Sequence, residues 1–231
     1  NGDNYIKEQI DSILNQEDVD VSLFIRNDGS SRKIESLLSE YNDERIQYIY
    51  GDNLGYKKSF LQMLKMVEES DYYAFADQDD VWLPQKLKQG IQCIETRLKN
   101  RKDAYLYASS LTRVDKNLNF LSEQKFDNLV LTVGAEFTRH RLAGCTFIFN
   151  DELRQLVDKV EYNDFIDYSH DHFMTIISML NKTNIFVDEN SYILFRRHGY
   201  NASVDGESKI SKIKKDIKYY FSGKSRYIEL S

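Results

Sequence analysis

Residues 1–98 alternate between short runs of β-forming residues and segments whose apolar residues recur at helical spacing. The β-forming runs lie at 21–25, 46–50 and 72–76, and each is followed by a polar turn and then by a helical pattern. Strands and helices that alternate so closely form parallel sheets with helices packed on their faces. The sequence therefore predicts an α/β fold with a mostly parallel, Rossmann-like sheet flanked by helices.

The rest of the chain predicts further elements of both kinds. A helix is expected before the first strand and a last strand near the end of the folded part. The expected ranges are 3–15 for that first helix, 104–109 and 143–150 for strands, 151–160 for a helix, a helical face that begins near 170, and 193–195 for the last strand. No element is predicted for 115–128.

Three carboxylates, Asp77, Asp79 and Asp80, follow the third strand within four residues. Crowded carboxylates repel one another, and a hard divalent cation is the usual reason that they persist together. An ordinary acidic turn is the alternative explanation. Functional groups in such sheets collect beyond the carboxyl ends of strands. Asp28 and Asn53, which follow the first two strands, are therefore expected to line the same crevice.

Two later segments also carry candidate functional groups. Asp171 lies in the first turn of a helix, where a helix cap or a partner of the helix dipole is an adequate explanation. The neighbouring His170 and His172 point to different sides of that helix, which disfavours a zinc site. The cationic residues 196–198 would suit a diphosphate, and they would equally suit a solvated turn.

Charge and cysteine usage limit the partners and the compartment. A net charge of -6 and a pI near 5.3 argue against nucleic acid as a partner. Residues 209–226 nevertheless contain seven Lys or Arg and one acid, in the pattern of a basic amphipathic helix. Such a helix would suit the inner face of an anionic membrane, or it would pack on the domain surface. Cys93 and Cys145 form no CxxC motif, which indicates a cytoplasmic protein.

Seven motifs occur in a fixed order along the chain. They are Asn1-Gly2 with the following helix, Asn27-Asp28-Gly29-Ser30-Ser31, Asn53-Leu54-Gly55, Asp77-Gln78-Asp79-Asp80-Val81-Trp82, Gly144-Cys145-Thr146, His170-Asp171-His172 and Arg197-His198-Gly199. Together they resemble the family 2 glycosyltransferases of GT-A fold, in particular the bacterial rhamnosyltransferase-like branch. The resemblance implies one GT-A domain over 1–201, followed by the basic segment 202–231.

The resemblance implies roles for residues on the donor side. Asp28 would contact the pyrimidine base of a UDP- or dTDP-sugar, and Asn53 would belong to the same nucleotide pocket. Asp77 and Asp79 would form the DxD element that holds Mg or Mn against the donor diphosphate, where the leaving group accumulates negative charge. His198 would complete the metal or diphosphate shell.

The acceptor side follows from the same resemblance. Asp171 would match the general base that deprotonates an acceptor hydroxyl, and a single displacement would invert the anomeric centre. Gly144, Cys145, Thr146 and His170 would border a saccharide or lipid-linked acceptor. The implied activity is transfer of a sugar, with rhamnose as one candidate, in the biosynthesis of cell-surface polysaccharide.

The chain departs from the family pattern at three places. Asn27 and Arg32 stand where the family usually has acids, and the family's first strand would precede Asn1, so the natural chain is expected to be longer at this end. Two other functions remain open from the residues alone. One is a haloacid-dehalogenase-type phosphatase with Asp77 as nucleophile. The other is a nucleotide-sugar-binding module without turnover.

Overall fold

The structure, a computed structural model, describes residues 4–30, 33–126, 129–138, 140–162 and 168–198, which form seven helices and eight strands. The helices are α1 Ile6–Leu14, α2 Lys33–Leu38, α3 Tyr56–Leu64, α4 Lys86–Arg97, α5 Val133–Thr138, α6 Asp151–Asp158 and α7 His170–Leu180. The strands are β1 Leu23–Asp28, β2 Ile46–Gly51, β3 Tyr73–Ala74, β4 Val81–Trp82, β5 Tyr105–Val114, β6 Phe120–Gln124, β7 Ile148–Phe149 and β8 Asn184–Arg196. The predicted basic segment 202–231 lies outside these residues.

The strands form two sheets. β1 and β2 pair in parallel and form a sheet of their own. The second sheet has the order β3-β7-β5-β8-β4, with β6 added beside β5. In this sheet β5 and β8 are parallel, whereas the other pairings are antiparallel. The α/β class and the parallel β1–β2 pair are confirmed, but the expectation of a mostly parallel sheet is corrected to a mixed one.

Two predicted strands have different boundaries in the structure. β8 has 13 residues, whereas only 193–195 were predicted. The polar segment 188–191 interrupts the apolar pattern of this strand, and the pairing with β5 shifts register near Ser109 and Ser110. Residues 143–150 were expected to form one strand. Instead, Gly144–Thr146 is a 3₁₀ turn and only Ile148–Phe149 is extended. β6 and α5 were not predicted.

Apolar side chains on both sides of the second sheet hold the layers together. The largest core lies between this sheet and α3, α6 and α7, and its aromatic members include Phe75, Phe147, Phe149 and Phe173. Helix α1 covers the small sheet through Ile6 and Ile10, which pack with β1 and β2 side chains. These packed layers place the ends of β1, β2 and β3 on rigid elements.

Gly90 marks the closest approach of α4 to the second sheet. A Cβ at this position would collide with Ile148 Cδ1 and lie 3.1 Å from Tyr107 Cε1, both on the sheet. We expect Gly90→Ala to lower the free energy of unfolding by about 1–3 kcal/mol, because the packed core resists added volume. Urea unfolding measures this change.

Gly134→Ala in α5 is the matched control for Gly90→Ala. A Cβ at Gly134 would meet no atom within 4 Å, so stability should stay level or rise by up to about 1 kcal/mol. Equal effects of the two substitutions would contradict the packing argument.

Two further observations bear on organisation. The chain divides into one compact unit over 1–196 and a second over 197–231. Within the described part of the chain, every helix is too short or too polar to cross a membrane.

Candidate active site

The acidic loop 77–80 joins β3 to β4 and is held by Arg196 at the end of β8. The Arg196 Nε donates to the Asp79 carbonyl at 2.8 Å, and its backbone N–H donates to Asp80 Oδ1 at 3.0 Å. The same guanidinium donates to the Lys116 carbonyl at 2.7 Å and to the Glu8 carboxylate. Because Arg196 is only 2% exposed, its two hydrogen bonds to Asp79 and Asp80 are shielded from water and fix the loop.

Asp80 lies beneath the loop rather than in the crevice. Its side chain is fully buried, and burial raises its pKa well above the usual range, with the negative charges of Asp77 and Asp79 adding to the effect. The Cys145 thiol is hydrogen-bonded to Asp80, and the buried ammonium of Lys86 lies 3.6 Å over the ring of Trp82. Asp80 therefore supports the loop from below, and the prediction that Asp77 and Asp79 hold a metal remains a prediction.

Asp77 is half-buried at the end of the loop. Burial, together with the charges of Asp79 and Asp171, raises its pKa to about 7. Ligand atoms of Asp77, Asp80 and Cys145 lie within 4.8 Å of one another. Carboxylates whose mutual repulsion is this strong fit a hard divalent cation such as Mg or Mn, whose charge would relieve it. The buried thiol of Cys145 is a poor ligand for such an ion, since burial raises its pKa well above the usual range.

Asp171 lies in the first turn of α7, close enough to Asp77 for its charge to raise the pKa of Asp77. Its Oδ1 accepts hydrogen bonds from the Ser169 hydroxyl and from the His172 backbone N–H at 2.9 Å. Its Oδ2 accepts from the Gly144 N–H at 3.0 Å and lies 3.3 Å from His140 Nε2. Burial alone would raise the pKa of Asp171, but His140 and these donors hold it well below its usual range. Asp171 is therefore an ionised carboxylate.

Gly144 allows the turn 144–146 to lie against Asp171. A Cβ at Gly144 would come within 2.8 Å of Asp171 Cβ and 2.9 Å of His170 Nε2. Gly144 donates its N–H to Asp171, and the side chains of Cys145 and Thr146 are buried. The predicted role of the turn at the acceptor remains a prediction.

His170 and His172 point in different directions, as the sequence predicted. His170 is buried and stacks on Phe60 with ring centroids 4.1 Å apart, and burial lowers its pKa to about 4. His172 faces Glu136 of α5 instead, where its Nε2 lies 2.7 Å from the Glu136 carbonyl oxygen. The ring of His170 packs against Phe60 and Phe75, and its predicted place at the acceptor remains a prediction.

Asp28 and Asn53 follow β1 and β2 and lie next to each other. The Asp28 Oδ1 accepts a hydrogen bond from the Leu54 N–H at 2.9 Å, and the Asn53 Oδ1 accepts one from the Gly55 N–H at 3.0 Å. Arg26 forms an ion pair with Asp28 and donates to the Asp52 carbonyl at 2.8 Å. This network fixes the loop after β2 beside the end of β1, where the sequence predicted a nucleotide pocket.

Asn27 stands where the family usually has an acid, and its amide makes two hydrogen bonds. Its Oδ1 accepts from the Ser30 N–H at 2.8 Å, and its Nδ2 donates to the Tyr48 hydroxyl at 3.2 Å. The amide makes both bonds with one side chain, because its oxygen accepts and its nitrogen donates. Asn27 therefore shapes the turn, and Asp28 remains the carboxylate at its end.

His198 lies just beyond β8, at the start of the second compact unit. Its predicted contribution to the metal or diphosphate shell remains a prediction. Arg196 was expected in a phosphate site or in a solvated turn, and the structure places its side chain in neither, because it braces the acidic loop from inside the fold.

Several site residues had no signal in the sequence analysis. Tyr56 at the start of α3 lies near both Asp171 and Asp77: burial raises its pKa, and these two carboxylates raise it further. Glu136 and His140 lie in a region for which no element was predicted. The four-residue spacing of Glu136 and His140 is the signal that could have linked them, since side chains at i and i+4 meet on a helix.

Comparison with known proteins agrees with this geometry. The family model described as "Glycosyl transferase family 2" matches residues 1–156. A dTDP-rhamnosyl transferase, RfbG of Shigella flexneri, is 28% identical over 87% of this chain and 71% of its own length. An uncharacterized glycosyltransferase of Rickettsia typhi is 26% identical over 86% of this chain and 61% of its own length.

Solved structures share the fold at low sequence identity. The crystal structure of S. aureus TarS 1-349 in complex with UDP aligns with a TM-score of 0.63 at 16% identity, over 96% of this chain and 69% of that one. A second crystal structure of TarS aligns with a TM-score of 0.65 at 17% identity, over all of this chain and 42% of that one. These neighbours have the GT-A fold. With its family model, its relatives and this fold in agreement, the chain belongs to glycosyltransferase family 2 and is a glycosyltransferase.

Proposed function

We propose that this protein transfers a sugar, with inversion, from a UDP- or dTDP-sugar to a hydroxyl of a saccharide or lipid-linked acceptor, and that it uses Mg or Mn. The observation that carries the proposal is the proximity of Asp77 and Asp171: the charge of Asp171 raises the pKa of Asp77, and both carboxylates raise the pKa of Tyr56. One carboxylate suits a metal-bound diphosphate and the other suits proton removal. Cell-surface polysaccharide biosynthesis is the corresponding pathway class.

The donor side is assigned to two groups of residues. Asp28 and Asn53 bind the nucleoside at the ends of β1 and β2, and Asp77 with Asp79 hold the ion. A bound Mg or Mn ion would supply positive charge that stabilises the leaving nucleoside diphosphate. Support for the nucleotide comes from relatives: RfbG is named a dTDP-rhamnosyl transferase, and a TarS structure contains UDP. dTDP-rhamnose is therefore the first donor to test.

On the acceptor side, Asp171 removes the proton of the attacking hydroxyl. Its two backbone donors, Gly144 N–H and His172 N–H, hold the carboxylate in place, while the Ser169 hydroxyl is a neutral group that can rotate away and yield its position to an acceptor hydroxyl. The hydroxyl oxygen then attacks the anomeric carbon from the face opposite the diphosphate. A single displacement of this kind inverts the anomeric configuration.

A donor panel tests the proposal. Binding of UDP, dTDP and their sugars is measured by calorimetry with Mg, with Mn and with chelator, and transfer is followed by release of the nucleoside diphosphate. Absence of binding by every nucleotide sugar with either metal would overturn the proposed function. The anomeric configuration of the product, read by NMR, tests inversion separately.

Asp171→Asn separates chemistry from binding. The amide keeps the size of the side chain but accepts no proton, so we expect transfer to fall by about 10²–10⁴-fold, the usual contribution of a general base. Nucleotide binding should stay close to that of the wild type. Unaltered transfer in this variant would remove Asp171 from the proposed mechanism without affecting the donor assignment.

A further inference from the structure

A chain of three titratable side chains leads from α5 to Asp171. His140 Nε2 lies 3.3 Å from Asp171 Oδ2, and the opposite ring nitrogen, Nδ1, contacts the Glu136 carboxylate. Glu136 is 2% exposed, so its carboxylate meets the ring away from water. The His172 ring stacks on the His140 ring with centroids 4.7 Å apart and covers one face of it. The ring of His140 is therefore held from three directions.

The position of His140 between two carboxylates determines its charge. An imidazole ring that has a carboxylate oxygen in contact with each nitrogen is stabilised as the imidazolium, because both carboxylates attract its positive charge. Burial lowers the pKa of His140, but its contacts with Asp171 and Glu136 outweigh burial and raise that pKa to about 9. At neutral pH the ring is thus positively charged, and it compensates a carboxylate that burial alone would tend to protonate.

The same cluster has the composition of a transition-metal site, because ligand atoms of Glu136, His140 and His172 lie within 4.8 Å of one another. Two contacts disfavour this interpretation. The second nitrogen of His140 faces Asp171, and His172 Nε2 is already engaged by the Glu136 carbonyl at 2.7 Å. Hydrogen bonds and ion pairs account for each of these nitrogens without an ion.

We propose that His140, held by Glu136, is a positioning residue for glycosyl transfer that keeps Asp171 ionised and aimed at the acceptor hydroxyl. The proposal rests on the proposed function, since it assumes that Asp171 is the base. His140 does not touch the acceptor in this account. It acts through Asp171, as a second-layer partner orients a catalytic group.

The proton and the electrons of the step balance without His140 changing charge. The acceptor O–H bond breaks, its proton passes to Asp171, and the oxygen forms a bond to the anomeric carbon. The bond between that carbon and the diphosphate oxygen breaks, and its electron pair leaves with the nucleoside diphosphate. Asp171 then returns its proton to water. The adjacent imidazolium favours this last transfer, because it stabilises the carboxylate form.

Other titratable groups also surround Asp171 and enter the interpretation of any pH profile. They are His170 and His172 on its own helix, Tyr56 of α3, and Asp77 and Cys145 from the neighbouring loop and turn. Because none of these side chains is altered in the His140 variants, a change in the profile reports on the contact between His140 and Asp171.

Two substitutions of His140 test the proposal. His140→Gln places a neutral amide donor near the position of Nε2, and His140→Ala removes both donor and charge. For His140→Gln we expect the acidic limb of the kcat profile to move to higher pH by about 1–3 units, because loss of the cation raises the pKa of Asp171. For His140→Ala we also expect kcat to fall by at least about tenfold from lost orientation.

The remaining measurements separate positioning from folding. Donor KM and nucleotide affinity should stay within about twofold of the wild type, since the proposal gives His140 no contact with the donor. Glu136→Gln should move the acidic limb in the same direction by a smaller amount. An acidic limb and a kcat that stay unchanged in both folded His140 variants would overturn the proposal.

Two controls give the proposal separate ways to fail. If Asp171→Asn abolishes transfer while the His140 variants behave as wild type, only the positioning role falls. If Asp171→Asn transfers normally, the base assignment falls and the positioning role with it. Titration with Zn²⁺ tests the metal interpretation: one-to-one binding that is lost in Glu136→Gln would identify a metal site and overturn the proposal.

Discussion

Asp79→Ala should lower sugar transfer by at least about a thousandfold, because a metal held by this loop supplies several kcal/mol of charge stabilisation to the leaving group. The side chain is also expected to be needed for metal-dependent nucleotide binding, since removing it leaves Asp77 to hold the ion alone at the crevice. Initial rates with Mg and with Mn, together with calorimetric titration of the nucleotide, measure the two effects.

Asp71→Ala is the matched control for Asp79→Ala. Asp71 is an exposed acid just before β3, whereas Asp79 lies in the loop that follows this strand. The Asp71→Ala substitution therefore removes the same charge but leaves the acidic loop unchanged. Transfer by Asp71→Ala should equal that of the wild type. A functional Asp79→Ala enzyme, with the same rate and the same metal dependence as the wild type, would show that the acidic loop does not hold the ion.

Arg196→Ala should be the most destabilising single substitution among those considered. It removes the guanidinium that donates to the carbonyls of Asp79 and Lys116 and that pairs with Glu8. Hydrogen bonds to a charged group contribute about 1.5–3 kcal/mol each, and two such bonds are lost. We expect the urea midpoint to fall accordingly and transfer to weaken, because the loop that carries Asp79 loses its brace.

Two other arginine substitutions calibrate this result. Arg196→Lys keeps the charge but has one ammonium in place of a planar fork, so it should recover only part of the lost stability. Arg101→Ala removes an exposed ion pair with Glu95, whose N···O distance is 3.1 Å, and should change stability by less than about 0.5 kcal/mol. An Arg196→Ala protein as stable as the Arg101→Ala protein would contradict the bracing role.

Local patterns predicted much of the fold because its elements are short and regular. Helices α1, α3, α4, α6 and α7 and the strands β1 and β2 were expected from apolar periodicity and turn residues, and the structure contains them within a few residues of the expected ranges. The sheet pairing was not predictable in this way. β5 pairs with β6, β7 and β8, and these pairings depend on contacts between residues far apart in the chain, which periodicity does not record.

The site shows the same division between local and distant information. Asp77 and Asp79 stand out because they follow a strand directly, and Asp171 stands out because it begins a helix. His140 does not stand out, since its partner Asp171 lies 31 residues further along the chain. Arg196 resembled a surface cation for a similar reason: its partners Glu8, Asp79 and Lys116 come from three separate parts of the chain.

The division of the strands into two sheets has a consequence for how enzymes of this design can diverge. The residues proposed to recognise the nucleoside, Asp28 and Asn53, lie on the small sheet, whereas Asp79 and Asp171 belong to the layers of the larger one. Substitutions that alter the preferred nucleobase can therefore accumulate on one sheet while the geometry of bond exchange on the other stays intact. In this architecture, donor specificity and catalytic activity can therefore change independently during evolution.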